Sequence, residues 1–490
     1  MNDKPMVSLG RSLSNAAAAS PQRSAIIFKR ANGSDEIISY QALDRGSNQV
    51  ARLLAERGVG SLSRVALALP NSIAYFISTY AIWKLGACVF PIRSDLPAWE
   101  RDRLFAAAQP SHVIGSFDAM ELPRVRPEEL ADLERYSAEA LPDIVPNPYR
   151  MNATGGSTGA PKIVVQLEPG LVGAGFRHAA HGLPEGAVHL INGPLYHFGP
   201  ARNSHVALQQ GHTLIMLEKF DAAVAMETIS AYRVNVMLVV PTMLYRMVKL
   251  PDVERYDTSS LIRLAFGAAH CPDWVFERAI EIFGADVLSV SYGGTEAIGV
   301  TVASGREWLA HRGTCGRPFL ADFRIQDAAG APLPARQIGE IWMRPHGGLI
   351  TRYLGEAMRQ TADGFATLGD LGWMDEDGYL YYVDRRKDLI VSGGANIYPA
   401  EVEAVLSECP LVSDSAVIGV PDDEWGARVH AVVVLAPGEQ LDQDALKAFC
   451  RTRLAAYKVP TSFSSVDALP RDGFDKMRRS TIVASTSPSQ

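Results

Sequence analysis

From residue 37 to about residue 90 the sequence alternates helical periodicity with short apolar runs: ISYQALDRGSNQVARLLAERG, then RVALALP, then SIAYFISTYAIWKLGACVFPI. The same rhythm returns in HTLIML, AVAMETISAYRV, NVMLVVP, LIRLAFG, WVFERAIEIFG and VLSVSYG. A strand that is apolar on both faces must be covered on both faces. Successive parallel strands also need a long crossover, which a helix supplies. The alternation therefore predicts an α/β architecture with a mostly parallel sheet, built as two α/β sheet layers. At 490 residues the chain exceeds one ordinary core and should divide into at least two domains.

From about Gly316 the texture changes to shorter strands separated by turns, as in FRIQDAAGAPLP, GEIWMRP, GYLYYV and DLIVSGG. Asp327 to Gly330 and Asp375 to Gly378 supply the turn chemistry of a β-rich subdomain. After a junction near Asp384, EVEAVLSEC, DSAVIGVPD, HAVVVLAPG and DALKAFCRTRL read as a small α+β unit. The expected division is a large N-terminal domain over residues 1–384 and a small C-terminal domain over residues 385–490.

Composition narrows the function classes. The 47 basic and 54 acidic residues leave a net charge of -7, opposite to the basic excess of a nucleic-acid binder. The five cysteines lie far apart with no CxxC pair, the pattern of reduced thiols in a cytoplasmic protein. The N-terminal stretch lacks a basic segment followed by an apolar run, and no window reaches a membrane-spanning length. A soluble, cytoplasmic protein acting on a small molecule is expected, with neither nucleic acid nor membrane as partner.

The loop NATGGSTGAPKIVV, from Asn152 to Val165, admits several readings. Gly155, Gly156, Ser157, Thr158 and Gly159 match the G-x-S-x-G of a serine hydrolase, which needs a strand before the serine and a helix after it. Pro146 and Pro148 speak against the strand, and Pro161 with the β-branched run after it speaks against the helix. A Walker loop is excluded, because Pro161 precedes Lys162 and the glycine spacing differs. Two readings stay open. One is a strand–loop–strand element that closes on polyphosphate through backbone N–H groups, the hydroxyls of Thr154, Ser157 and Thr158, and the charge of Lys162. The other is a solvated hairpin.

This stretch closely resembles the phosphate loop of the adenylate-forming superfamily of acyl-CoA synthetases, peptide-synthetase adenylation domains and luciferases, whose usual form is T-S-G-S/T-T-G-x-P-K-G. Gly155 stands here for the serine and Ile163 for the last glycine. Further matches occur in the family's order. Tyr292-Gly293-Gly294-Thr295-Glu296 resembles Y-G-x-T-E; the resemblance implies a tyrosine on adenine, a threonine on phosphate and a glutamate that helps hold Mg2+. Leu368-Gly369-Asp370 resembles the element whose aspartate accepts from the ribose hydroxyls. Asp384 to Glu403, DRRKDLIVSGGANIYPAEVE, is nearly letter for letter the family's hinge, with Arg385 on ribose and Lys387 at the pivot. LPRDGFDKMRRS resembles the terminal catalytic segment with Asp475 in place of glycine, which makes Lys476 the mobile lysine that reaches the α-phosphate. Together these cover roughly residues 20 to 480.

The resemblance implies a mobile small domain and two half-reactions: joining of a carboxylic acid to AMP with loss of pyrophosphate, then transfer to a thiol. ATP, Mg2+ and CoA are the implied cofactors. Thr154, Ser157, Thr158, Lys162, Glu296 and Lys476 are the implied charge-neutralising set. Gly393 and Gly394 would line the tunnel of the acceptor thiol, or serve only as a turn. His197, in PLYHFGP, would border the acyl pocket, and Gly267-Ala268-Ala269 would wall the adenine. The apolar and small residues around His197 point to a hydrophobic acid. A separate carrier protein as acceptor is the nearest alternative, and a homodimer is left open. A non-catalytic nucleotide-binding homologue sits poorly with the retention of Lys162, Glu296, Asp370, Arg385 and Lys476. A luciferase-like activity finds no support.

Overall fold

The computed structural model describes residues 6–117, 121–154, 162–173, 183–422, 425–471, 477, 479 and 481–482. Nine strands form its largest sheet, in the order Arg317–Phe319, Val300–Ser304, Leu288–Gly293, Arg263–Gly267, Val236–Val239, Val188–Ile191, Thr213–Leu217, Ser24–Lys29 and Asp35–Ser39. The six central strands are mutually parallel, while Asp35–Ser39 and the pair Val300–Ser304 and Arg317–Phe319 run antiparallel at the two edges. A second, parallel sheet contains Cys88–Pro91, Arg64–Ala68, His112–Gly115 and Arg124–Val125.

The helix Ile73–Lys84 shows why these two sheets form one body. Its apolar residues run all round it, and it is buried on every side. It packs into a core shared by Ile26 and Leu214 of the large sheet and by Val65, Leu67 and Ile114 of the small one. A helix without a polar face has to be enclosed, and two sheets enclose it. The opposite face of the large sheet carries the helices Ala222–Tyr232, Pro241–Val248 and Asp273–Phe283 over Leu190, Met237, Leu264, Phe266 and Val290.

Two features of the large sheet locate a cleft. From Val188–Ile191 the chain moves one way to Thr213–Leu217 and then the other way to Val236–Val239, so the strand order reverses between neighbours. Ligands in open α/β sheets bind at the carboxyl ends of strands beside such a reversal. The register also aligns Ile191, Leu238, Ala265 and Ser289 in one row. Ile191 is buried in the core that includes helix Phe198–Gln209, whereas Leu238, Ala265 and Ser289 stay half-buried. This part of the sheet face forms the floor of a trough.

The β-rich part consists of a four-stranded antiparallel sheet, Ala321–Gln326, Gly339–Pro345, Ala366–Met374 and Leu380–Arg385, and a three-stranded one, Thr351–Tyr353, Lys162–Gln166 and Met151–Thr154. The smaller C-terminal domain has its own core, from Ile390 to Phe463. Helices Pro399–Ser407 and Gln443–Arg451 pack there with the sheet Val412–Asp422, Gly426–Leu435 and Ser462–Ser465. Among the described residues no helix is long and apolar enough to cross a membrane. All five cysteines are free thiols, and burial pushes Cys88 up to about 12, so it packs as a neutral group.

Candidate functional site

Strands Met151–Thr154 and Lys162–Gln166 pair antiparallel with Thr154 opposite Lys162, so the Gly-rich segment connects two strands of a hairpin. The sequence expectation that Pro146 and Pro148 speak against a strand before this loop is corrected, because both prolines lie upstream and the strand starts at Met151. The element after the loop is a strand and not a helix, so the serine-hydrolase elbow has no structural basis. Gly155, Gly156, Ser157, Thr158 and Gly159 lie outside the described residues. Lys162 Nζ is 3.0 Å from Glu356 Oε1 and 4.6 Å from the Tyr353 ring centroid.

Strand Thr351–Tyr353 pairs with Lys162–Gln166, placing Tyr353 opposite Val164. It also reaches the turn after strand Leu288–Gly293. Tyr353 Oη donates to Glu296 Oε1 at 2.9 Å, and Thr351 Oγ1 donates to the Glu296 carbonyl. A Cβ on Gly294 would lie 2.8 Å from both Glu296 Oε2 and Leu368 Cδ1, so glycine gives the turn its room. Thr295 is half-buried in the same turn. Sequence reasoning singled out Lys162 and Glu296 separately and missed the strand that joins them; its local signal is the β-favouring pair Thr351 and Tyr353 about a charged Arg352.

The nucleotide-side residues converge through sheet register. Asp370 and Arg385 are directly opposite on neighbouring antiparallel strands, with Arg385 Nε 3.7 Å from Asp370 Oδ1. Tyr292 Oη donates to Asp370 Oδ2 at 2.9 Å. The Tyr292 ring is 8% exposed and belongs to a core with Ile298, Ile325 and Ile341. Burial and the adjacent Asp370 hold the Tyr292 hydroxyl pKa well above its usual value, so it remains a donor. Gly267 lies beside Ser291, whose carbonyl would be 2.6 Å from an added Cβ. Gly293 is exposed at the strand end, as are Ala268 and Ala269. Ala268 has φ 71° and Ala297 has φ 50°, so two alanines bordering these candidate loops adopt a left-handed backbone that disfavours a side chain.

On the acyl side His197 is the N-cap residue of helix Phe198–Gln209. A Cβ on Gly199 would lie 4.0 Å from Leu238 Cδ2, which sets the start of this helix against the trough floor. The loop after Ala269 continues to His270, whose surface is exposed but whose imidazole is held below its usual pKa by desolvation, partly offset by Asp273.

At the junction, buried Asp384 accepts from Ala400 N at 3.0 Å and from its neighbour Arg385 N at 2.7 Å. Lys387 is exposed. Gly393 has φ 55°, and a Cβ there would strike Trp425 Cε3 at 2.5 Å, whereas Gly394, φ 82°, has open space around it. At 393 both the left-handed backbone and the overlying Trp425, which would have to shift to admit a side chain, favour glycine; at 394 only the backbone conformation does. Lys476 lies outside the described residues. Nearby anchors are visible: Arg471 pairs with Asp414 at 2.7 Å, and Arg479 pairs with Glu403 at 2.6 Å and with Asp388, beside the hinge lysine, at 3.2 Å.

Comparison with known proteins gives a consistent picture. The model of the AMP-binding enzyme family matches residues 13–354, and that of the AMP-binding enzyme C-terminal domain matches residues 401–476. A feruloyl-CoA synthase from an Amycolatopsis species is 33% identical over 469 residues, covering 91% of this chain and 93% of that protein. The o-succinylbenzoate CoA synthetase of Bacillus subtilis, in complex with its acyl-adenylate intermediate, superposes with TM-score 0.83 at 25% identity, covering 99% of both chains. The same synthetase with ATP and magnesium ion gives TM-score 0.81 at 25% identity, covering 97% of this chain and 99% of that one.

Proposed function

The chain belongs to the AMP-binding enzyme family, and we propose that it is an AMP-forming ligase that activates a hydrophobic carboxylic acid with ATP and transfers the acyl group to CoA. The observation that carries this reading is the convergence of Tyr292, at the carboxyl end of its strand in the large sheet, with Asp370 and Arg385 of the four-stranded sheet, where a nucleotide sugar would be held. The names of the similar proteins, feruloyl-CoA synthase and o-succinylbenzoate CoA synthetase, support CoA as acceptor.

A carboxylate is a poor electrophile because its leaving oxide is strongly basic. In the first step the acid oxygen bonds to the α-phosphorus of ATP while the bond to the β-phosphate oxygen breaks, and pyrophosphate leaves. In the second the thiol gives up its proton to solvent, its sulfur bonds to the acyl carbon, the acyl–phosphate bond breaks, and AMP leaves. The protein's work is alignment and charge neutralisation. Thr154, Lys162 and the Gly-rich loop hold the polyphosphate; Asp370 and Arg385 hold ribose; Gly267 to Ala269 wall the adenine; His197 and the trough over Leu238, Ala265 and Ser289 take the acyl part. Lys476 serves the first step from the C-terminal domain, which we place from Arg385 onward, and rotation at Lys387 exchanges it for the Gly393–Gly394 face in the second.

The residues present suit Mg2+. Glu296 Oε1 is fixed by Tyr353, and its Oε2 accepts no hydrogen bond among the described residues, which leaves a hard oxygen for a hard cation. Bound there, Mg2+ supplies neutralisation of phosphate charge.

The test is acid-dependent exchange of labelled pyrophosphate into ATP across fatty, aryl, terpenoid and amino acids, with CoA added afterwards. Exchange and a CoA thioester with a hydrophobic acid support the reading. Exchange without thioester would replace CoA by a carrier protein, and absence of exchange with every acid would argue for a nucleotide-binding protein without this chemistry.

A further inference from the structure

We propose that Tyr353 is a positioning residue that makes Lys162 and Glu296 act as one unit, fixing the Mg2+-facing carboxylate and the polyphosphate-facing ammonium from a single side chain. This rests on the nucleotide reading above.

Three contacts converge on one ring. The Lys162 ammonium stands 4.6 Å from the ring centroid, the Tyr353 hydroxyl donates to Glu296 Oε1 at 2.9 Å, and the ring is 8% exposed. Strand pairing explains why they meet: Tyr353 lies opposite Val164, two residues beyond Lys162, and Leu354 N donates to Ile163 O at 2.8 Å. Thr351, two residues earlier on the same face, holds the Glu296 carbonyl, so backbone and side chain of Glu296 are tied to one short strand. An open surface groove runs past Thr351, Tyr353 and Glu356.

The chemistry of the arrangement is directional. A phenol donating to one carboxylate oxygen fixes the plane of the carboxylate and leaves the other oxygen for a cation. The π face holds Lys162 by cation–π attraction without consuming its hydrogen-bond donors; one of these faces Glu356 and the others stay available for phosphate. Glu356 pairs with the same ammonium, 3.0 Å from Lys162 Nζ. The pair is partly open to water, with side-chain exposures of 31% and 46%, so polyphosphate can displace the carboxylate at little cost.

The experiment is calorimetric titration of the full chain with ATP, once in EDTA and once in excess Mg2+, for the wild type and Tyr353→Phe. The Phe ring keeps the seat of Lys162 and deletes only the hydroxyl. Loss of a hydrogen bond to a charged group should cut the Mg2+-dependent gain in ATP affinity about tenfold, while affinity in EDTA stays within about twofold because the cation–π seat persists. In a Glu296→Gln background the same substitution should cause no further loss, a result that a general packing defect would not give. The proposal fails if Tyr353→Phe keeps the full Mg2+ gain, or if it weakens binding equally with and without the metal. A wild type that binds no ATP under either condition would overturn the nucleotide reading itself, and the proposal with it.

Discussion

Replacing Asp370 offers the sharpest test of the nucleotide site, because the structure limits what its carboxylate is already doing. An ionised carboxylate has about four acceptor sites. Tyr292 Oη occupies one of them, and Arg385 Nε, at 3.7 Å, contributes charge without a hydrogen bond. About three sites therefore remain, and the two ribose hydroxyls can take two of them. Each hydrogen bond to a charged acceptor contributes about 1.5 kcal/mol, so the pair contributes about 3 kcal/mol, or roughly 150-fold in affinity. Wild-type protein should prefer AMP over 2′,3′-dideoxy-AMP by about that factor, and Asp370→Ala should abolish the preference, as read by calorimetry with both ligands. Asp370→Ala should also lose about 1–3 kcal/mol of stability, because it strands the buried Tyr292 hydroxyl. Asp370→Asn, which keeps an acceptor for Tyr292, should fold nearly as well yet lose most of the preference. If the AMP preference of Asp370→Ala equals that of the wild type in a folded protein, Asp370 does not bind the ribose and the assignment falls.

Gly393→Ala places a Cβ against Trp425 at a left-handed φ of 55°; thioester formation from supplied acyl-AMP should drop while pyrophosphate exchange persists, and Trp425→Ala should restore part of the loss. Asp384 has its pKa raised from 3.8 to about 6 by burial, against the opposing pull of Arg479. The folded state therefore holds the proton more tightly, and this contribution to stability is complete below pH 3.8 and lost as pH rises through about 6. Urea unfolding should show the wild type losing about 1.5 kcal/mol more than Asp384→Asn between pH 5 and pH 7.5. Arg479→Ala leaves Glu403 and Asp388 largely buried without their cation and should cost about 3 kcal/mol. A thermal midpoint for that variant indistinguishable from wild type would refute this account of the anchor.

Much of this architecture is written locally. The strand–helix alternation specifies a parallel sheet because period and length are set by neighbouring residues, and HTLIML, NVMLVVP, LIRLAFG and VLSVSYG all appear as strands of the large sheet. The candidate residues Glu296, Asp370 and Arg385 were legible because each sits in a compact motif whose letters lie within a few positions of one another.

Contacts between distant segments were not legible. The strand hidden behind Pro146 and Pro148 forms because its partners, Lys162–Gln166 and through it Thr351–Tyr353, supply the hydrogen bonds that short strands cannot make alone. Nothing in TRYLGEAM marks Tyr353 as the neighbour of residues 57 and 191 positions earlier, Glu296 and Lys162. Nor does SGGAN show that Trp425 lies over Gly393. By itself the sequence determined the element types, the apolar faces and the chemistry carried by each motif, since these depend on local period and side-chain type. Only the tertiary structure decided which motifs meet, because register and strand order, which place Asp370 against Arg385 and Tyr353 between Lys162 and Glu296, are properties of long-range pairing.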